Sequence, residues 1–226
     1  MKILGIDTTT RFMCLGAYND GRVYEYKLDV GRRLSGLLAS TIKRVVDALG
    51  WRIKDIDYFA CGLGPGSFTG MRVGISAIKG LAFSLNKPVV GISTLDILAA
   101  NAPGACKYVI PIVDARRNLV YCAIYRNKSG TLTRIKPYML LTIDELFEKI
   151  KVKDGALILG DGITLYKEKI LMQIGAGVLL DKDHWYPEGG NIVKLAIEKI
   201  RSGRVDNAFG LKPFYIYPKE CQIRKV

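Results

Sequence analysis

One pattern of segments occurs twice in this chain of 226 residues. Each copy begins with three short strand-like stretches and continues with an amphipathic helix, a buried-type strand and another helix. In the first copy we expect these elements at residues 2–6, 13–18, 23–28, 35–49, 58–62 and 69–85, followed by a strand at 89–92 and a helix at 95–101. In the second copy we expect them at residues 108–113, 120–125, 132–136, 143–150, 156–160 and 165–172, followed by a helix at 191–200. The repeat predicts a duplicated α/β fold, βββαβα in each copy.

The two copies are predicted to form two lobes, because a single sheet would leave about half of the segments without a partner face. The dipeptide Pro103-Gly104 breaks the pattern between them. We therefore place a first lobe at residues 1–103 and a second at residues 104–226, each a mixed sheet flanked by helices. A return of the C-terminal tail to the first lobe is compatible with this division. We expect the lobes to face each other across a cleft.

Several classes of protein are disfavoured by the composition. The apolar stretches are far shorter than the roughly 20 residues of a membrane span, and a secretory signal is not expected because Asp7 interrupts the first apolar run. The five cysteines are odd in number and have no CxxC spacing, so reduced thiols are expected. With a single histidine, His184, a metal site is not expected. The sequence thus predicts a cytoplasmic protein.

The chain is strongly basic, with 34 Lys and Arg against 21 Asp and Glu, a formal charge of +13. Such a surplus favours nucleic-acid binding, because cations that neutralise phosphates release counterions. The surplus is not concentrated, however. Residues 1–100 hold 13 bases and 8 acids (+5), and residues 101–226 hold 21 bases and 13 acids (+8). We therefore expect weak assistance of nucleic-acid binding at most.

Polar residues at the tips of the first hairpins are candidates for a nucleotide site. Asp7 and Thr8 follow the first strand, and Asp114 occupies the equivalent place in the second copy. Strand ends that present carboxylates and hydroxyls can hold a phosphate or its metal. With Asp161, these residues would line a weak, vestigial nucleotide cleft. The alternative is ordinary turn chemistry, in which the same side chains satisfy local backbone groups.

A glycine-dense turn runs from Gly62 to Gly74, between a strand and a helix. Its spacing fits neither the P-loop nor a clean dinucleotide fingerprint. Arg72 lies in the first turn of the helix, where the dipole disfavours a cation, which indicates either an anionic partner or a surface arginine.

The helix that follows carries glycines among large apolar residues, a pattern that allows close approach of another helix. Glycine inside a helix costs about 1 kcal/mol relative to Ala, so a packing reason is expected. That reason is either packing within the chain or a subunit interface. The helix before it offers a second apolar face. The candidate interface residues are Gly70, Arg72, Gly74, Ile75, Ile78 and Leu81, with Leu38, Ile42 and Val45.

The chain resembles the TsaB (YeaZ) family from end to end. The motifs that carry the resemblance are Ile3-Leu4-Gly5-Ile6-Asp7-Thr8, Gly64-Pro65-Gly66-Ser67-Phe68-Thr69-Gly70-x-Arg72, Val89-x-Gly91-Ile92-Ser93-Thr94-Leu95, Val113-Asp114-Ala115-Arg116-Arg117 and Gly160-Asp161-Gly162. The resemblance implies two actin-like, Hsp70-type (ribonuclease H-like, ASKHA) lobes. It also implies a role in making N6-threonylcarbamoyladenosine beside the anticodon of ANN-decoding tRNAs.

The resemblance further implies that the chemistry belongs to a partner. In the family, a paralogous subunit, TsaD, carries a metal on a pair of histidines in the helix after the third strand. The corresponding residues 33–38 here contain no histidine. The implied role is a non-catalytic scaffold that binds TsaD through helices, the pair then recruiting a TsaE-like ATPase. A competing homodimer, and ATP or ADP at the partner interface, remain open. A stand-alone ATPase or small-molecule kinase is the alternative.

Overall fold

A computed structural model describes residues 1–31, 33–104, 106–150, 156–174, 179 and 181–217. Its contacts divide the chain into two units. The first unit comprises Met1–Ile97 and Pro187–Phe214, and the second comprises Leu98–Tyr186 together with the described residues from Tyr215 on. The C-terminal tail from residue 218 lies outside the described residues, so its predicted return to the first lobe stays a prediction.

Nine strands and six helices are found in the described part of the chain. In order they are β1 (Lys2–Asp7), β2 (Phe12–Asn19), β3 (Arg22–Asp29), α1 (Leu34–Ala48), β4 (Tyr58–Gly62), α2 (Phe68–Leu85), β5 (Val89–Ile92), α3 (Thr94–Ala99), β6 (Tyr108–Arg116), β7 (Leu119–Lys128), β8 (Thr131–Leu141), α4 (Ile143–Lys149), β9 (Ala156–Leu159), α5 (Ile163–Ile174) and α6 (Gly189–Arg201). The predicted order βββαβα is present in both copies.

The first unit is built on a mixed five-stranded sheet in the order β3-β2-β1-β4-β5. The first three strands are antiparallel, and β1, β4 and β5 run parallel. Asp20 and Gly21 between β2 and β3 both have positive φ, the conformation that a tight hairpin turn requires. The sheet packs against α1 and α2 on one face, where Leu4, Leu38 and Ile78 join one buried apolar cluster.

The helix α6 corrects the predicted boundary between the units. We assigned residues 191–200 to the second lobe, whereas α6 packs on the strands of the first sheet. Its Ile192 and Ala196 join a buried cluster with Ile3 and Val90 on the face opposite α1 and α2. Because the strands β1, β4 and β5 are apolar on both faces, the sheet needs a cover on each side. The first repeat alone does not supply enough helix for both.

The second unit repeats this plan with a four-stranded mixed sheet in the order β8-β7-β6-β9. Its core contains Ile110 and Ile124 from the sheet, Leu146 from α4 and Ile170 from α5. Thr142 caps α4, since its hydroxyl accepts the Glu145 N–H while the Glu145 carboxylate accepts the Thr142 N–H. Among the described residues, no helix is long and apolar enough to cross a membrane.

Candidate functional site

The Asp7 carboxylate is completely enclosed by its own unit. Its Oδ1 accepts hydrogen bonds from the Thr9 N–H and the Thr9 hydroxyl, both at 2.8 Å, and its Oδ2 accepts one from the Thr94 hydroxyl at 2.8 Å. A Cβ atom at Gly62 would overlap Oδ2, which shows how closely the neighbouring strand β4 approaches. The polar atoms of Asp7 are thus directed at other residues of the first unit.

Asp7, Thr9 and Thr94 form a closed ring of oxygen contacts. The two hydroxyls lie 3.0 Å apart, and each also contacts one carboxylate oxygen of Asp7. Burial raises the pKa of Asp7 above its ordinary value, more than the hydrogen bonds to the ionised form lower it. Both carboxylate oxygens of Asp7 thus have hydrogen-bond partners within the first unit.

Thr8, the second predicted residue of this site, is also buried. Its hydroxyl donates to the carbonyl oxygen of Gly70 at 2.8 Å, at the start of α2. A Cβ atom at Gly70 would overlap the Thr8 carbonyl oxygen, and one at Gly74 would overlap Thr8 Oγ1. The glycines thus let α2 lie directly against the hairpin tip. Of the two explanations left open for them, packing within the chain is confirmed at Gly70 and Gly74.

The glycine-dense turn itself is occupied by backbone contacts. Ser67 caps α2 through its hydroxyl, which accepts the Gly70 N–H at 3.2 Å, and the Ser67 N–H donates to the Thr9 carbonyl oxygen at 2.7 Å. The Gly64 carbonyl oxygen accepts the Thr94 N–H at 2.8 Å, and Gly64 has a φ of +95°. This turn therefore ties β1, β5 and α2 together.

In the second unit, Asp114 and Asp161 lie side by side. The Asp114 N–H donates to Asp161 Oδ1 at 3.0 Å. Burial raises the pKa of Asp161 to about 6, and the negative charge of Asp114 adds to the rise. Asp114 itself forms an ion pair with Arg116 at 3.0 Å. The structure thus brings the two predicted carboxylates of this unit together, and the guanidinium of Arg116 is paired with one of them, Asp114.

The hairpin tip that follows Asp114 has an unusual backbone. Arg116, Arg117 and Asn118 all have φ between +51° and +64°, a region that residues other than glycine seldom adopt. The Tyr166 hydroxyl donates to Asn118 Oδ1 at 3.1 Å and holds this turn in place. The tip presents the side chains of Arg116 and Arg117 to solvent.

Most of the predicted interface residues are buried inside the first unit, which corrects the expectation that they form a surface. The buried ones are Gly70, Gly74, Ile75, Ile78, Leu38 and Ile42. The physical reason is that α1 and α2 turn their apolar stripes toward the sheet. Arg72 is exposed and stacks on the Phe68 ring at 3.8 Å, while Leu81 and Val45 are half-buried.

The exposed faces of α1 and α2 carry several small residues beside larger ones such as Lys43, Arg44, Asp47 and Phe83. Six of the small ones are Ser35, Gly36, Ala39 and Ser40 on α1, and Ser76 and Gly80 on α2. A Cβ atom at Gly36 or Gly80 would meet nothing within 4 Å, so packing within the described chain does not explain either glycine. We call these six residues the small-residue face. Arg72 and Phe68 lie at the N-terminal end of the same helix α2.

Thr9 and Thr94 complete the ring with Asp7 but were not predicted as site residues. Thr94 lies two residues after the end of β5, which is two strands from β1 in the parallel part of the sheet. Because the carboxyl ends of parallel strands meet at one edge, this position could have been paired with Asp7 from the sequence. Among the described residues, no group of three or more His, Cys, Asp or Glu is placed to hold a metal ion.

Comparison with known proteins identifies one family. Residues 29–172 match the model described as "TsaD: tRNA N6-adenosine threonylcarbamoyltransferase". The tRNA threonylcarbamoyladenosine biosynthesis protein TsaB of Bacillus subtilis is 29% identical over 227 residues, covering 99% of this chain and 97% of that protein. TsaB of Escherichia coli is 28% identical over 221 residues, covering 96% and 94%.

Solved structures show the same similarity. YeaZ from Pseudomonas aeruginosa superposes with a TM-score of 0.82 at 28% identity, covering 95% of this chain and 99% of that one. A second structure, described as an uncharacterized protein with similarity to peptidase YEAZ from Pseudomonas aeruginosa, gives 0.84 at 26% identity. Together with the two mixed sheets, these matches confirm the predicted actin-like α/β fold class.

Proposed function

From its membership of the family described as "TsaD: tRNA N6-adenosine threonylcarbamoyltransferase", and within it of the TsaB (YeaZ) group, we propose a role for this chain. It is a non-catalytic subunit. It supports formation of N6-threonylcarbamoyladenosine next to the anticodon of ANN-decoding tRNAs, and the catalytic centre lies in a TsaD-like partner. The observation that carries the proposal is the likeness to TsaB proteins over nearly the full length of both chains.

The chemistry of the hairpin tip supports a non-catalytic role. A nucleotide site at this position would need the Asp7 oxygens for a metal ion or for water, and they accept hydrogen bonds from Thr9 and Thr94 instead. The sequence of α1 contains no histidine that could hold a metal in the manner of the partner. Both points weaken the alternative of a stand-alone ATPase or small-molecule kinase. Steady ATP turnover by the pure chain that is lost in Asp7→Ala would revive it.

The partner is proposed to bind the small-residue face of α1 and α2. Small side chains let the backbone of a second helix approach closely, so that many weak contacts form along a short length of helix. Arg72, held on the Phe68 ring, adds a cation at one end of this surface. A homodimer through the same face would compete with the heterodimer. ATP or ADP is proposed to bind at the partner boundary rather than to this chain alone.

The experiment replaces exposed glycines by bulky residues. Gly36→Glu and Gly80→Glu are each combined with the TsaD-like partner, the TsaE-like ATPase, tRNA and ATP. We expect partner affinity to fall by roughly tenfold or more, and tRNA threonylcarbamoylation to fall with it. Gly80→Arg should act in the same direction, because the loss comes from bulk and not from charge.

The matched control is Gly104→Glu, at an exposed glycine of the second unit where a Cβ atom also meets nothing within 4 Å. This variant should assemble and support modification normally. The thermal midpoint of each helical variant should not fall, since any residue replacing helical glycine gains about 0.5–1 kcal/mol of helix propensity. If Gly36→Glu and Gly80→Glu assemble normally with the partner, α1 and α2 are not the partner surface. If modification is lost while assembly stays intact, the partner also binds a different surface.

The remaining partners follow from the same premise. The TsaE-like ATPase is proposed to join the assembled pair and not the free chain. The +13 charge, shared by both halves of the sequence, is proposed to give weak assistance to tRNA binding. The affinity of this chain alone for tRNA, measured against added salt, tests that contribution: binding that does not weaken as salt rises contradicts it.

A further inference from the structure

A pocket of about 600 Å³ opens on the second unit, between its sheet and the C-terminal end of α4. This volume is typical of small-molecule sites. The residues that line it are Tyr108, Ile110, Ile124, Arg126, Ile135, Lys136, Pro137, Met139, Glu148, Lys149 and Ile150. None of them belongs to the hairpin tips or to α1 and α2, so the pocket is distinct from the surfaces described above.

The floor and the rim of this pocket differ in chemistry. The floor consists of Tyr108, Ile110 and Ile124, which are buried apolar or aromatic residues of β6 and β7. The rim consists of exposed charged residues, three cations and one carboxylate: Arg126, Lys136, Lys149 and Glu148. Among the described residues, none of these four forms an ion pair within 4 Å.

Strand pairing fixes the positions of two of the cations. Arg126 lies directly opposite Tyr108 in the antiparallel pair β6–β7, with its guanidinium 5.9 Å from the centre of the Tyr108 ring. Lys136 lies directly opposite Ile124 in the pair β7–β8. Residues that face each other across two strands project from the same side of the sheet. Each of these cations is therefore placed beside an apolar residue of the floor.

We propose that this pocket binds an amphipathic anion, a molecule with an apolar acyl body and a single carboxylate or phosphate head. The acyl body would lie on the floor and lose its contact with water, at about 0.8 kcal/mol for each buried methylene group. The head group would be bound by Arg126 and Lys136. Lys149 is less suited to bind the anionic head group, because the carbonyl end of α4 beside it carries a partial negative charge.

Three ligands of matched length test the proposal on the full-length chain: octanoate, octyl phosphate and octanol. Backbone amide shifts in two-dimensional NMR locate the binding, and the same titrations give the affinities. Octanoate or octyl phosphate should bind saturably to one site and shift amides of β6, β7, β8 and α4. The stronger of the two identifies the head group. Octanol should bind at least about tenfold more weakly, since it lacks the charge.

Charge reversal at the rim provides the second measurement. Lys136→Glu should weaken anion binding by roughly tenfold while leaving octanol binding unchanged. Its control is Lys167→Glu, an equal charge change at an exposed residue of α5 that does not line the pocket. Both lysines are exposed, so neither variant should disturb folding. The proposal is overturned if no probe binds saturably, if octanol binds as tightly as the stronger of the two anions, if the shifts lie elsewhere, or if both variants weaken binding alike.

Discussion

Two glycines on the same helix should respond in opposite directions to the same substitution. In Gly74→Ala the new Cβ atom overlaps Thr8 Oγ1 and lies 3.3 Å from Thr8 Cβ, because α2 rests on the first hairpin tip at this point. In Gly80→Ala the new atom meets nothing within 4 Å. Both variants gain the same helix propensity, so the difference between them isolates the close contact with Thr8.

The magnitudes follow from these two contributions. Replacing a helical glycine by alanine stabilises by about 1 kcal/mol, which is the whole effect expected for Gly80→Ala. Overpacking of a buried contact costs about 1–3 kcal/mol, and rotation of the Thr8 side chain to relieve it would break the hydrogen bond from its hydroxyl to the Gly70 carbonyl oxygen. The two variants should therefore differ by the overpacking cost of about 1–3 kcal/mol, and Gly74→Ala should be destabilised by up to about 2 kcal/mol overall.

Urea denaturation of both variants measures these free energies, and a double variant identifies their cause. Thr8→Ala removes the overlapping hydroxyl, so Gly74→Ala should cost much less in that background, with a coupling energy of about 1–2 kcal/mol. Gly80→Ala should show no coupling to Thr8→Ala. Additive effects of Thr8→Ala and Gly74→Ala, or a stabilised Gly74→Ala, would refute the argument that these glycines exist for the contact between α2 and the hairpin tip.

Two further predictions concern buried ionisable groups. Because burial raises the pKa of Asp161 to about 6, the free energy of unfolding of the wild type should decline as the pH rises from about 4 through 6. The Asp161→Asn variant, whose amide oxygen can still accept the Asp114 N–H, should be more stable than the wild type by up to about 3 kcal/mol at pH 8 and no more stable below pH 4. Urea denaturation at the two pH values measures this, and a gain independent of pH contradicts it. Burial also raises the pKa of the Cys14, Cys61 and Cys122 thiols, so at pH 8 these sites should be alkylated only after unfolding and Cys106 should be alkylated first, as peptide mass spectrometry can determine.

The repeat made the architecture predictable, because periodicity and turn residues are local signals. The order of elements was recovered in both copies, and the hairpin turn at Asp20 and Gly21 follows from its sequence. The placement of α6 was not recoverable in the same way. Its amphipathic pattern predicts a helix but does not say which apolar sheet face it covers, and chain order suggested the wrong one.

The site was predicted less completely for a related reason. Sequence identified the polar residues at the strand ends, and the structure brings Asp114 and Asp161 together. It did not reveal that Thr94 would bind Asp7, because the two residues are 87 positions apart and only the order of the parallel strands relates them. Likewise the glycines of α2 are alike in sequence, while only the packed structure separates Gly70 and Gly74 from Gly80.

The different surroundings of these glycines link the packing of the first unit to its proposed role. Gly70 and Gly74 allow α2 to rest on the hairpin tip, and the same contact commits the Thr8 hydroxyl to the Gly70 carbonyl oxygen. A hairpin tip committed in this way is poorly suited to hold a nucleotide, whereas the helix that it supports is fixed along one side. The opposite side of α2, with Ser76 and Gly80, is then presented by a rigid support. One set of contacts thus engages the polar atoms of the hairpin tip and holds α2 along one side, and both effects support the proposed role as a non-catalytic subunit.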